Sequence, residues 1–165
     1  MDRRSLIAGA ALAIVTLKQP APGEAQGATL PERFAAALSD HDMHAFAALF
    51  GNDYVNHQLS AAAPPPPGPP TKTQKQASVD FFTARLAGMP DLTVTVEAQV
   101  ITSEKIAASF VYRGTHGGVL LGIAPTGKPL RFTSCDIFRV RDGLLVEHWG
   151  MGDIAGLLTE LRARI

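Results

Sequence analysis

The chain has 165 residues, 46% of them apolar, with 15 basic and 15 acidic side chains and a single cysteine, Cys135. That length suits one domain around one core, and the neutral charge balance predicts no field that would draw in nucleic acid or an anionic membrane. One thiol excludes an internal disulfide, and no Cys/His spacing supports a zinc site, which leaves a small molecule as the favoured partner.

Arg3-Arg4 is followed by an apolar run over residues 6–17, too short to span a bilayer comfortably, and then by a Pro/Gly/Ala-rich stretch to Gly27. We read residues 1–27 as an export signal of twin-arginine type, with cleavage before Ala28 and a periplasmic or secreted product. An uncleaved membrane anchor is the alternative. Removal takes away Arg3, Arg4 and Lys18 against Asp2 and Glu24, leaving 12 basic and 13 acidic groups. The mature domain, residues 28–165, stays near neutral, with no stable membrane association expected.

From Pro31 the apolar spacing becomes helical through Phe34 and Leu38, then Met43, Phe46, Leu49 and Phe50, with a break at Ser39-Asp40-His41. Gly51-Asn52 stops the second helix. The segment Asp53 to Gln58 leads into the Pro-rich stretch 61–70, which suits an extended loop or a lid. A third helix is predicted over residues 73–86. After Pro90 the period switches to two: Leu92, Val94, Val96, Ala98 and Val100 alternate with polar residues, and Ile106, Ala108, Phe110 and Tyr112 follow after a turn. Further strands are predicted over 118–123, 130–141 and 144–151, the last two joined by Asp142-Gly143, a two-residue hairpin signal. Asp153 then caps a closing helix bearing Leu157, Leu158 and Leu161. These elements predict an α+β domain in which a curved antiparallel sheet forms a cone-shaped barrel around a cavity, packed with N-terminal helices and a C-terminal helix.

Strand alternation puts Ser134, Asp136 and Phe138 on one face and Thr133, Cys135, Ile137 and Arg139 on the other. On the next strand Val146, His148 and Gly150 oppose Glu147, Trp149 and Met151. Asp136 interrupts an apolar strand, so it is solvated at an edge, paired with a buried partner, or held in a cavity. Counting back from the hairpin turn sets Asp136 and His148 on neighbouring strands. Such a pair is equipped to move protons to and from a bound substrate, or simply satisfies itself. His57 reaches the same cavity or caps a loop, and His116 sits in a strand crossing or turn. Cys135 faces away from Asp136 with no base beside it, which argues against a nucleophilic role.

Tyr54-Val55-Asn56-His57, Gly114-Thr115-His116, Gly122-Ile123-Ala124-Pro125-Thr126-Gly127-Lys128, Asp136-Ile137-Phe138-Arg139-Val140 and Asp142-Gly143-Leu144-Leu145-Val146-Glu147-His148-Trp149 together resemble the SnoaL-like polyketide or ester cyclases. The likeness runs from about Pro31 to the C-terminus. It implies the cone of the nuclear-transport-factor-2-like superfamily and an intramolecular aldol cyclisation of a polyketide ester by a cavity carboxylate, without metal or cofactor. The resemblance places that carboxylate just after Glu-His-Trp, where this chain has Gly150.

Three readings follow. The first is an enzyme that abstracts a proton α to a carbonyl of a small hydrophobic ester or ketone. Asp136 would be its base and His148 the donor or orienting partner, with His57, His116, Ser134, Phe138 and Trp149 contacting the substrate. The second is a periplasmic binding module that has lost its carboxylate, in which Gly150→Asp would gain proton-transfer activity. The third is a dimerising structural domain with a filled cavity. Cys135 and Ile137 beside Arg139 also point to homodimerisation through the outer sheet face.

Overall fold

The computed structural model describes residues 27–58 and 70–162, so the segment read as an export signal, up to Gln26, and most of the Pro-rich stretch 61–70 lie outside the described residues. The order is α1 (Leu30–Ser39), α2 (Met43–Ala48), β1 (Phe50–Asn56), α3 (Gln74–Gly88), β2 (Thr93–Ile101), β3 (Lys105–Thr115), β4 (Pro129–Arg141), β5 (Leu144–Gly152) and α4 (Ile154–Arg162). Local chemistry sets several boundaries. Thr29 and Glu32 form a reciprocal capping box at the start of α1, with Pro31 in its first turn. Thr73 caps α3 by accepting from the Gln76 amide. Asp153 accepts from the Gly156 amide at 2.9 Å, so it serves α4 as an N-cap.

The strands make one sheet in the order β1-β5-β4-β3-β2. The α+β class and the curved sheet flanked by helices match the sequence reading, with three differences. The sheet is open rather than a closed barrel, and its edge strand β1 runs parallel to β5. Helix α2 ends at Ala48, and Phe50–Asn56 forms β1 where a helix end and a loop were predicted. Gly51, Asn52 and Asp53 are poor strand formers, and they run extended between Phe50 and Val55, whose pairing with β5 brackets an irregular stretch. Residues 118–123 form no strand: Leu120 and Ile123 pair across a tight turn in which Leu121 and Gly122 both have positive φ. The Asp142-Gly143 hairpin forms as expected, at φ 52° and 73°.

The β2 alternation also breaks. Val96 pairs with Phe110 and Ala98 with Ser109, which leaves Glu97 as a bulge residue. Beyond it Val100 turns outward, 69% exposed, while Gln99 turns toward α1 and accepts a hydrogen bond from Thr29 Oγ1 at 3.0 Å.

The core fills the concave side of the sheet under α1, α2 and α3. Phe34 is its hub, with ring centroids at 4.9 Å from Phe46, 5.0 Å from Phe110, 5.5 Å from Phe82 and 5.9 Å from Phe138. Phe34→Ala should therefore cost about 3–5 kcal/mol in denaturant unfolding, through lost burial and the cavity left behind. A loss below about 1 kcal/mol would show that this cluster does not hold the domain together.

Candidate active site

A cavity of about 290 Å³ opens between the concave face of the sheet, α3 and the end of β5. Its wall includes five phenylalanine and two tyrosine rings, and its polar groups come from four strands, from α3 and from Gln58. Asp136 on β4 pairs in register with Gly150 on β5, and Phe138 pairs with His148. His148 therefore reaches Asp136 diagonally, through the space a side chain at 150 would fill. A Cβ built on Gly150 would overlap Asp136 Oδ1 and His148 Nε2, well inside van der Waals contact. The glycine is what permits the contact.

His148 Nε2 lies 2.8 Å from Asp136 Oδ1, both side chains about nine-tenths buried. The other carboxylate oxygen accepts from Ser134 Oγ at 2.5 Å, and Ser134 Oγ lies 3.4 Å from the Tyr112 hydroxyl. On its far side, His148 Nδ1 lies 3.0 Å from Oδ1 of Asn56, the residue in register with His148 on β1. The same Asn56 oxygen accepts the Gln58 amide at 2.9 Å, which fixes the orientation of the amide group. An oxygen only accepts, so Nδ1 of His148 carries a proton.

That assignment has a consequence for the pair. With Nδ1 protonated, a 2.8 Å contact at Nε2 needs one more proton, which sits either on the imidazole or on the carboxyl. In both arrangements the pair shares one proton and has zero net charge. The Phe138 ring, 4.9 Å from the His148 ring and 20° from parallel, holds the imidazole flat against the wall.

Two phenols face the same space. Burial pushes Tyr54 up to about 12, with the Asp136 charge adding to it and a hydrogen bond with Ser78 opposing it. Burial likewise pushes Tyr112 up to about 12, again helped by Asp136 and opposed by Arg85. Both therefore remain neutral hydroxyl donors at neutral pH. Arg85, on α3, also lines the cavity, among the rings of Phe81, Phe82, Tyr112 and Phe132.

Of the residues predicted for the site, the structure brings Asp136, His148, Ser134 and Phe138 to one wall. His57 and Trp149 are elsewhere: strand parity turns both to the outer face, where their rings stack at 4.6 Å and His57 Nε2 meets Glu147 Oε2 at 3.0 Å. Glu147 is also paired with Arg139, and these two partners hold its carboxyl below the usual range. His116 does not line the cavity either. It is fully buried at the end of β3, its Nδ1 accepting from the Thr126 amide at 3.2 Å, and its backbone bonds Lys128 and Gly127. It ties down the 116–128 loop. Asn56, Tyr54, Tyr112 and Arg85 were not singled out from the sequence. For Asn56 the usable signal was its place in Tyr54-Val55-Asn56-His57, where alternation puts Tyr54 and Asn56 on one side and His57 on the other.

The family model for SnoaL-like polyketide cyclases matches residues 28–161. The chain belongs to that family. Among solved structures, it is similar to IdmH from Streptomyces antibioticus, described as a candidate polyketide cyclase. They share 32% identity over 81% of this chain and 96% of that one, with a TM-score of 0.66. TsrD from Streptomyces laurentii is 25% identical over 82% of this chain and 93% of its own, with a TM-score of 0.68. AclR from Streptomyces galilaeus, described as a candidate hydroxylase, shares the fold at 24% identity, covering 80% of this chain and 78% of that one, with a TM-score of 0.66. No curated protein sequence matches the chain significantly.

Proposed function

We propose that this SnoaL-like protein abstracts a proton α to a carbonyl of a small, largely apolar substrate, and closes a ring by intramolecular aldol addition without a cofactor. The observation that carries the proposal is the buried 2.8 Å contact between His148 Nε2 and Asp136 Oδ1 on the wall of a cavity rich in aromatic rings. In the ion-paired form, the Asp136 carboxylate takes the α-proton: the C–H bond breaks, an O–H bond forms, and the electron pair moves onto the carbonyl oxygen as an enolate. The Tyr54 and Tyr112 hydroxyls and the imidazolium supply donors for that developing charge. The enolate carbon then bonds to a second carbonyl carbon, and the alkoxide recovers a proton from the Asp136–His148 pair. Protons balance over the cycle.

Gly150 supports a second reading, a binding module on the same scaffold, because the acid implied by the family resemblance is absent. The two readings separate in solvent-deuterium exchange at the α-carbon of 4-oxo-4-phenylbutanoate and its methyl ester. Exchange well above the buffer rate is expected of the enzyme, and binding without exchange of the module.

Asn56 acts through His148 and is a positioning residue. Asn56→Ala removes the acceptor of Nδ1–H, freeing the other tautomer and disfavouring imidazolium, so the exchange rate should fall about ten- to hundredfold. The fall should appear in kcat with little change in KM. A change in KM alone would make Asn56 a substrate contact and not a positioning residue.

Homodimerisation through the outer face, where Ile137, Trp149 and Met151 are exposed, belongs to the same proposal. Sedimentation of a monomer at micromolar concentration would overturn it.

A further inference from the structure

Arg85 is 8% exposed and sits on α3 with its Cζ at 4.7 Å from the Phe81 ring centroid, 4.9 Å from Phe132, 5.1 Å from Tyr112 and 5.2 Å from Phe82. Burial pushes its pKa down, against the opposing influence of Tyr112 and Asp136. A guanidinium keeps its proton at neutral pH nonetheless, and its weak hydration suits it to aromatic surroundings. Ring faces attract the cation but accept none of its five N–H bonds in the guanidinium plane. Among the described residues no side chain or carbonyl accepts a hydrogen bond from it. Nor is its edge sealed: among the described residues only His116 Nε2 is a fully occluded side-chain atom without a partner, so the unpartnered Arg85 nitrogens keep some exposure, and Arg85 lines the cavity.

The charge count sharpens the point. The ionisable groups lining the cavity are Arg85, the Asp136–His148 pair, Tyr54 and Tyr112. Both phenols are neutral, and the pair is neutral in either position of its proton. Asp136 is thus committed to His148 and Ser134, and the guanidinium is the cavity's uncompensated charge. A buried charge needs a partner, and a planar fork of donors fits a carboxylate in bidentate fashion.

We infer that the cavity takes an anionic ligand, a carboxylate attached to an apolar, carbonyl-bearing body, whose carboxylate is held edge-on by Arg85 inside the aromatic cage. This rests on the proposed acid/base reaction for the ligand's ketone, while the carboxylate follows from Arg85 itself. The contact series Arg85, Tyr112, Ser134, Asp136 then runs from the anchored end of the ligand to the proton-transferring pair. A free acid rather than its ester is the preferred form, and Arg85 is the residue that sets the preference.

The test is calorimetric titration of the full chain with 4-oxo-4-phenylbutanoate and, separately, with its methyl ester, repeated on Arg85→Met. The wild type is expected to bind the acid at least about tenfold more tightly than the ester, and Arg85→Met to lose or reverse that preference. Near-UV circular dichroism and melting check that the variant folds. Should it not fold, Arg85→Lys keeps the charge without the fork and is expected to weaken acid binding more than ester binding. Equal affinities in the wild type, no detectable binding of either compound, or a preference that survives in Arg85→Met each overturn the inference. Acid preference without α-deuteration would support the anion site and count against the reaction. Deuteration of the ester with no preference for the acid would do the reverse.

Discussion

Asp136→Asn is expected to lower α-carbon exchange about 10²–10⁴-fold, the range a positioned general base contributes, while leaving the affinity for 4-oxo-4-phenylbutanoate nearly unchanged. Asparagine keeps the shape, and its amide nitrogen can donate to the His148 Nε2 lone pair, so the contact at 2.8 Å survives without the base. The net charge of the pair stays at zero, because a neutral imidazole facing an amide replaces one shared proton. Loss of turnover with retained binding is therefore the signature. Exchange that persists in the variant would remove Asp136 from the chemistry, whereas joint loss of binding and exchange would make it a structural carboxylate.

Gly150→Ala carries the second large effect. Its methyl group must occupy the space between Asp136 Oδ1 and His148 Nε2. Neither group is free to swing away. Ser134, itself in contact with the Tyr112 hydroxyl, holds the carboxylate, Asn56 holds the far imidazole nitrogen, and Phe138 lies along the ring. Displacement of a catalytic pair by about 1 Å costs roughly 10²-fold in rate, which is the expected fall in exchange, with the aromatic core undisturbed. The same geometry reverses the outcome anticipated for Gly150→Asp. From the sequence, an acid there looks like the restoration of a missing group. In the structure it competes for the space of an acid/base pair already present, so exchange should fall rather than rise. A gain of activity in Gly150→Asp would show that the Asp136–His148 contact is a spectator and that the binding-module reading was right about the wild type.

How much of this was legible in the sequence depended on where each residue's conformation is decided. Asp142-Gly143 prescribes a tight turn by itself, and from that turn strand alternation delivered Ser134, Asp136, Phe138 and His148 to one face. Residues governed by long-range pairing were harder to place. Phe50–Asn56 is a strand because β5 lies beside it, and without that knowledge Asn56 had no direction while its neighbour His57 drew attention as the titratable group. Trp149 failed for a simpler reason: it adjoins His148 in sequence, which in a strand means the opposite face. The bulge at Glu97 reversed the parity of Val100, an event no alternation pattern announces. Arg85 was hidden among ordinary α3 residues, since its meaning lies in the four rings brought around it by three separate elements.

The protonation of His148 is the point on which both the reaction and the anion site turn, and it is directly measurable by ¹⁵N NMR of the histidine-labelled protein, with His148 assigned by its loss in a variant. The geometry calls for a proton on Nδ1, facing the Asn56 oxygen, with a second proton between Nε2 and Asp136. Observation of that state would establish a neutral pair beside an uncompensated Arg85. A neutral imidazole protonated on Nε2 alone would contradict it: Nε2–H would then donate to an Asp136 carboxylate whose full charge balances Arg85, and Nδ1 would have no proton to give Asn56.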